Sequence, residues 1–515
     1  MGRIGMRKWW ALGAITLGVL AVSLDVTVLS VALPTLAGAL KASESDLQWF
    51  SAGYALALAA GMLPAGLLGD RFGRKRILLG ALVVFGGGSI ACAWSTTPGE
   101  FIAARVAVGV AGAAVVVMAL SSMTVLFTEE ERPRAVGIWG AANFIAFPIG
   151  PIFGGWLLAN YWWGWIFLMN VPVALIGIVA VTALVPESRS PERPGLDPIG
   201  MLAANAGLAG MTYGLIELGR YGWTDPPSLA ILIGGALVIL AFFLWERYLT
   251  RRPGGRPLID LELFRSRGYT WGMILAAIGG LALVGLIFTL PQYSQGVLGL
   301  DPMGSGIRLL PAVGGLILGG VPAFLLADRI GAKLTVAGGF AITTAGLLVG
   351  ATTSVDSSGL FAAGWLALAG FGMGMAFITA ASAALKKVPS EKSGVASAVL
   401  QAMQKVGAPF GAAIFGSVLV AAYQANVNVA RLPAPLAAAV KLSVFAGDAV
   451  AGRLHSAALL ASVHAAFVQG MDTALVVSAV FAAVGMLVAL VFLPGRTRDE
   501  ALAAGSEGVK VGRVA

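Results

Sequence analysis

Fourteen apolar runs organise this chain, each near the ~20 residues that a helix needs to cross a bilayer. They fall at 10–33, 48–69, 77–95, 101–127, 135–159, 165–185, 197–218, 228–248, 269–290, 304–326, 334–353, 359–385, 394–422 and 463–493. The connections are mostly short and rich in Pro, Gly and charge, as in Glu187-Ser-Arg189-Ser-Pro191-Glu192-Arg193-Pro194-Gly195. The pattern predicts an all-α polytopic membrane protein with 14 transmembrane helices. One connection is long, 423–462, with Pro433, Pro435 and a moderately apolar stretch from Leu436 to Val450. It reads either as a small hairpin of helices or strands on the outer mouth or as a disordered loop.

Charge enters between the runs, and it repeats. Gly66-Leu-Leu-Gly-Asp70-Arg71-Phe-Gly73-Arg74-Lys75-Arg76 separates the second run from the third. Ala327-Asp328-Arg329-Ile330-Gly331-Ala332-Lys333 separates the tenth from the eleventh. Glycine lets the chain reverse without strain, and the Asp can cap a helix or pair with an Arg. Two such loops in register imply an internal duplication arranged 6 + 2 + 6. The expected organisation is an N-terminal six-helix bundle at 1–190, two inserted helices at 191–262, a C-terminal six-helix bundle at 263–500 and a cytoplasmic tail at 501–515.

Composition agrees with burial in lipid. The 515 residues are 58% hydrophobic and 11% charged, with a mean hydropathy of +0.87, where a soluble domain carries about 25% charged residues. The net charge of +9 would suggest nucleic acid if it were spread over a surface. With both termini placed inside, however, 26 of the 34 Lys and Arg fall in cytoplasmic segments and five fall outside. That split obeys the positive-inside rule, so the basicity sets topology and no nucleic-acid partner is implied. Cys92 is the single cysteine, which excludes an intrachain disulfide. The first run is too long for a signal peptide and contains an Asp. These features place the chain in the cell membrane, cytoplasmic or inner, as a multi-pass protein with both termini in the cytoplasm.

A few polar residues interrupt the apolar runs, and each needs a reason to be there. Asp25 lies in Leu24-Asp25-Val-Thr27-Val-Leu-Ser30-Val-Ala-Leu-Pro34, roughly 22 Å along the first helix at 1.5 Å per residue. An acid at that depth costs several kcal/mol unless it faces a cavity, finds a partner or is protonated. That makes it a candidate proton carrier or counter-charge, with a structural hydrogen-bonded Asp as the other reading. Arg105, in Arg105-Val-Ala-Val-Gly109-Val-Ala-Gly112, must lie against a crowded interface, where it either tunes a carboxylate or pins helices together. Asp472 is well inside its run and is either an ion-pair partner of Lys405 or a second protonation or cation site. The fifth run carries Pro148, Gly150, Pro151, Gly154 and Gly155. A membrane bundle tolerates that density of Pro and Gly, which predicts a kinked helix at a close, movable interface. No phosphate loop, His-Glu-x-x-His, Cys pair or nucleophile elbow is present, so neither ATP coupling, nor a metal, nor an enzyme activity is suggested, and no cofactor is expected.

Together these motifs resemble the major facilitator superfamily, and within it the fourteen-helix drug:proton antiporters. Gly66 to Arg76 matches the family loop between helices 2 and 3. Leu24 to Pro34 is similar to the first-helix motif of the fourteen-helix branch, with Ser30 in place of the usual Asn. Gly150-Pro151-x-x-Gly154-Gly155 matches the antiporter signature of helix 5, with Ala146 where a Gly is expected. Arg105 matches the helix 4 motif with Val108 where Gln is common. Trp163 to Pro172 resembles the opening of helix 6 with Gly164 where Arg is frequent.

The resemblance implies a major facilitator fold that exports lipophilic, often cationic drugs or antibiotics in exchange for protons by alternating access. Asp25 would exchange a proton for substrate and Arg105 would tune it, with Asp472 a further coupling candidate. The loop residues Gly66, Asp70, Arg71, Gly73, Arg74, Asp328 and Arg329 would gate the cytoplasmic side, with Asp70 and Arg74 as a latch. The implied partners are a small lipophilic substrate, protons and the lipid bilayer, and the chain would act as a monomer. Export of a self-made natural product or a lipid-like metabolite is the alternative within the same fold. A non-transporting scaffold or sensor would leave Asp25 and both Asp-Arg loops without a purpose.

Overall fold

The structure is a computed structural model. It describes residues 3–495 except 129, 190–196, 253, 254, 256, 259, 260, 387 and 389–392; the tail at 501–515 lies outside the described residues. Among the described residues there is no strand, and the element order is helical throughout. The first nine helices are α1 (Arg3–Ala39), α2 (Glu44–Phe72), α3 (Arg74–Ala93), α4 (Pro98–Leu126), α5 (Arg132–Asn160), α6 (Trp165–Leu168), α7 (Asn170–Leu184), α8 (Pro198–Tyr221) and α9 (Pro226–Arg251). They are followed by α10 (Arg267–Gln292), α11 (Pro302–Ile330), α12 (Ala332–Gly350), α13 (Gly359–Leu385), α14 (Ser393–Asn426), α15 (Ala434–Val440), α16 (Val444–Arg453) and α17 (Ala457–Phe492).

Thirteen candidate membrane spans are found among the described residues, with α6 and α7 forming one span, Trp165–Leu184. The 29-residue α5 has the length for a further one. The fourteen-run pattern therefore matches the helices closely. Large apolar side chains lie open on their outer faces, such as Val179 at 70%, Leu202 at 70% and Val321 at 68% exposed. In water such a surface would be untenable, whereas in hydrocarbon it is the matched state.

Helix ends are set by local chemistry. Ser43 caps α2 in a capping box with Asp46, and Thr97, Asp197, Asp225, Ser358 and Ser443 accept from the first turns of α4, α8, α9, α13 and α16. Both Asp-Arg loops turn on glycine, at Gly73 (φ +116°) and Gly331 (φ +91°), a region that residues with a Cβ avoid. A Cβ on Gly73 would also sit 2.6 Å from Glu187 Oε1. Gly73→Ala is therefore expected to cost about 1–3 kcal/mol of stability, read as a lowered thermal midpoint in detergent. A midpoint equal to wild type would show that this turn relaxes freely.

The chain forms two compact units. The first comprises Met1–Ile259, Val284–Leu309 and Ala408–Ala474. Within it α2 packs along α4, α3 along α4 and α7, α1 along α5 and α7, and α8 along α9. The inserted helix α8 also rests on α2 and α14. Ile216 joins a buried cluster with Ala52, Ala412 and Ala413, and Ser417 Oγ donates to Leu215 O at 2.7 Å. The second unit comprises Asp260–Leu283, Leu310–Gly407 and Leu475–Ala515. In it α12 packs along α13 through Gly339, Gly346 and Gly372, each facing backbone of the other helix.

The long connection at 423–462 resolves into two short helices, α15 and α16, rather than strands or a structureless loop. Tyr423 Oη donates to Val440 O at 2.8 Å and lies 3.3 Å from Ser443 O, while His464 Nε2 meets Asp448 Oδ1 at 3.1 Å. Burial pushes the Asp448 carboxyl up to about 6, against the opposing pull of His464.

Candidate functional site

Asp25 and Arg105 meet in the interior of the first unit. Arg105 Nη1 donates to Asp25 Oδ2, and the two residues are 0% and 2% exposed respectively. The pair forms because small residues let three helices close up. On α4, Gly109 faces the Tyr54 carbonyl and the Ala57 Cβ of α2, and Gly112 faces Tyr54 Oη and Val22 of α1. A side chain at either glycine would push apart the helices that carry the two charges.

The remaining polar valences are largely filled. Asn170 Nδ2, at the start of α7, donates to Asp25 Oδ1 at 3.1 Å and lies 3.3 Å from Ser89 Oγ of α3. Arg105 Nε reaches Phe50 O at 3.4 Å. The Arg105 guanidinium lies 4.1 Å from the Tyr54 ring centroid, a cation–π contact, and Tyr54 Oη donates to Val22 O at 3.2 Å. Arg105 Nη2 has no hydrogen-bond partner, so one donor of the guanidinium is available to another acceptor. A buried pair of this kind gains little net stability over an apolar pair, but removing one partner strands the other. Chemically the arrangement is a carboxylate held by one cation and one amide, where a proton or a cationic ligand would compete with Arg105 for the same oxygens.

The α5 motif braces this site on two faces. Thr27 Oγ1, two residues on from Asp25, reaches Ala146 O at 3.3 Å. Gly150 faces the Thr27 side chain and Gly154 the Val28 side chain. From the other face of α5, Gly155 looks onto the backbone of Pro302 and Met303 at the start of α11, and Gly306 of α11 looks onto the Pro151 carbonyl. The side chain of Pro148 lies outside the described residues.

The first Asp-Arg loop is a local device in this structure. Arg74 Nη2 and Nε reach Asp70 Oδ1 at 2.8 and 3.0 Å, and Arg74 Nη1 donates to Ser121 O of α4 at 3.3 Å. Gly66 rests on Val117 of α4, and Arg71 is exposed beside the Phe72 ring. In the second loop Asp328 and Arg329 are exposed at the end of α11. Asp472 is half-buried in α17 with Oδ1 lacking a hydrogen-bond partner.

A sequence reading assigns no role to Asn170, Ser89 or Tyr54, although an amide opening an otherwise apolar run was a usable signal for Asn170. Glu44, a buried acid at the head of α2, also escaped notice because it lies in a connection where acids are ordinary.

The family model of the Major Facilitator Superfamily matches residues 15–412. The chain belongs to the major facilitator superfamily. It is 31% identical over 497 residues to the tetracenomycin C resistance and export protein of Streptomyces glaucescens, covering 94% of this chain and 91% of that one. It is 33% identical over 442 residues to the methyl viologen resistance protein SmvA of Salmonella typhimurium, covering 84% and 86%. Among solved structures, a bacterial homologue of the human lysosomal transporter Spinster superposes with a TM-score of 0.67 over 97% of this chain and 98% of that one, at 16% identity. That likeness establishes the major facilitator fold. The chain is accordingly a multi-pass membrane transporter whose relatives are drug and antibiotic resistance and export proteins.

Proposed function

We propose that the protein exports lipophilic, often cationic drugs or antibiotics across the cytoplasmic membrane in exchange for protons, by alternating access of six-helix halves at 1–190 and 263–500. The observation that carries this reading is the buried Asp25–Arg105 pair with its Asn170 tether. In hydrocarbon-flanked helices an ion pair is retained where its breaking is used, and a proton arriving on Asp25 would free Arg105 from its counter-charge. A lipophilic cation would compete for the same carboxylate, which makes proton and substrate mutually exclusive, as antiport requires. In this scheme both termini are cytoplasmic, the Asp70–Arg74 pair steadies the cytoplasmic loop, and a monomer suffices.

The relative named for tetracenomycin C resistance and export favours a second reading, export of a self-made natural product. Both readings are separated by reconstituting the full chain in liposomes with a pH gradient and presenting ethidium, methyl viologen and a neutral aromatic in turn. Gradient-driven movement of the cations that a protonophore collapses is the expected result. Movement of the neutral compound alone would transfer the assignment to natural-product export, and gradient-independent movement of the cations would end the antiport reading.

A further inference from the structure

Glu44, the first residue of α2, is 4% exposed, and neither carboxylate oxygen has a hydrogen-bond partner. Its side chain faces Gln292 at the end of α10. Gln292 is itself 0% exposed; its Nε2 is committed to Phe288 O at 3.3 Å, and its Oε1 has no partner. Ionised, Glu44 has for a donor only the second N–H of Gln292 Nε2, which favours the carboxylate. Protonated, it supplies an O–H that the unpartnered Gln292 Oε1 can accept, so a single proton also satisfies the amide oxygen.

Glu44 also lines a cavity of about 220 Å³ with Ser43, Arg220, Tyr221, Gln424 and Lys441. Arg220 and Lys441 are exposed on its rim. Two cations at the mouth oppose entry of a lipophilic cation but admit water. Other titratable groups facing the site are Tyr423, whose hydroxyl is committed to the α15–α16 connection, and Asp46, committed to the Ser43 cap. The α2 N-terminus, the rim cations and the Gln292 amide N–H favour the carboxylate, whereas burial favours the acid. Balanced opposing forces of this kind suit a group that changes state.

We propose that Glu44, facing Gln292, is a second proton-binding site, separate from Asp25 and reached through this cavity. The proton comes from water in the cavity, binds a Glu44 carboxylate oxygen and leaves by the same path. The site stands on its own geometry; its part in transport rests on the export reading above. The test is pH-difference infrared spectroscopy of the purified full chain. A carboxylic-acid C=O band is expected in wild type, absent from Glu44→Gln and shifted in Gln292→Leu, which removes the acceptor. In liposomes, Glu44→Gln should keep gradient-driven cation export but lose the dependence of its rate on the pH at the cavity side. Glu44→Gln spectra that superimpose on wild type throughout the titration would overturn the proposal, as would a band unmoved in Gln292→Leu. A wild type that moves no cation yet keeps the Glu44 band would remove the export reading and leave this site standing.

Discussion

Asp25→Asn is expected to lower proton-driven export by about 100-fold or more, equivalent to ~3 kcal/mol, while exchange of substrate without a gradient survives better. The variant keeps the shape of the side chain and its contact with Asn170, but it cannot carry a proton and leaves Arg105 buried without its counter-charge. Stranding one member of a buried pair costs about 3–5 kcal/mol, so lost stability could imitate lost coupling. Replacing both residues, Asp25→Asn with Arg105→Met, separates the two. The double variant removes the uncompensated charge, and its thermal midpoint should return close to wild type while gradient-driven transport stays absent. Recovery of transport in the double variant would reduce the pair to a structural pin and leave Asp472, with its unpartnered Oδ1, as the next coupling candidate.

The helices were legible because the bilayer imposes a length and a hydropathy that few other contexts reproduce. The same constraint made Asp25 and Arg105 conspicuous as exceptions. That they meet was implied by the resemblance alone, and the residues by themselves did not show it. It depends on Gly109 and Gly112 bringing α4 onto α2 and α1, and spacing along one helix does not say which neighbour a glycine faces. The α15 and α16 segments stayed ambiguous because short amphipathic stretches between spans satisfy helix, strand and loop patterns alike. Glu44 was hidden for the converse reason. An acid in the first turn of a capped helix is ordinary on a solvated surface, and only its burial against Gln292 makes it unusual.

Gly155→Ala is the second large expected effect, and it tests whether the α5 motif does more than kink a helix. An added Cβ would lie 2.6 Å from Pro302 O, 2.7 Å from Met303 Cα and 3.0 Å from Met303 N. These are backbone atoms at the head of α11, so no side-chain rotation relieves the overlap, and α5 must retreat. Retreat is resisted on the opposite face, where Gly150 and Gly154 already seat α5 on Thr27 and Val28. Overpacking of this kind costs about 1–3 kcal/mol, and the cost falls on conformations in which α5 and the head of α11 touch. A bias of ~2 kcal/mol between two conformations shifts their ratio about 30-fold, so the transport rate should fall by about an order of magnitude while the protein still folds. Gly87→Ala supplies the contrast, because nothing lies within 4 Å of its Cβ position on α3; it should be neutral or gain up to about 1 kcal/mol from helix propensity. Parallel rates and thermal midpoints for the two variants decide the matter. If Gly155→Ala transports within twofold of wild type, the close approach of α5 to α11 is packing alone, and the motif's glycines serve only to shape the helix around Asp25.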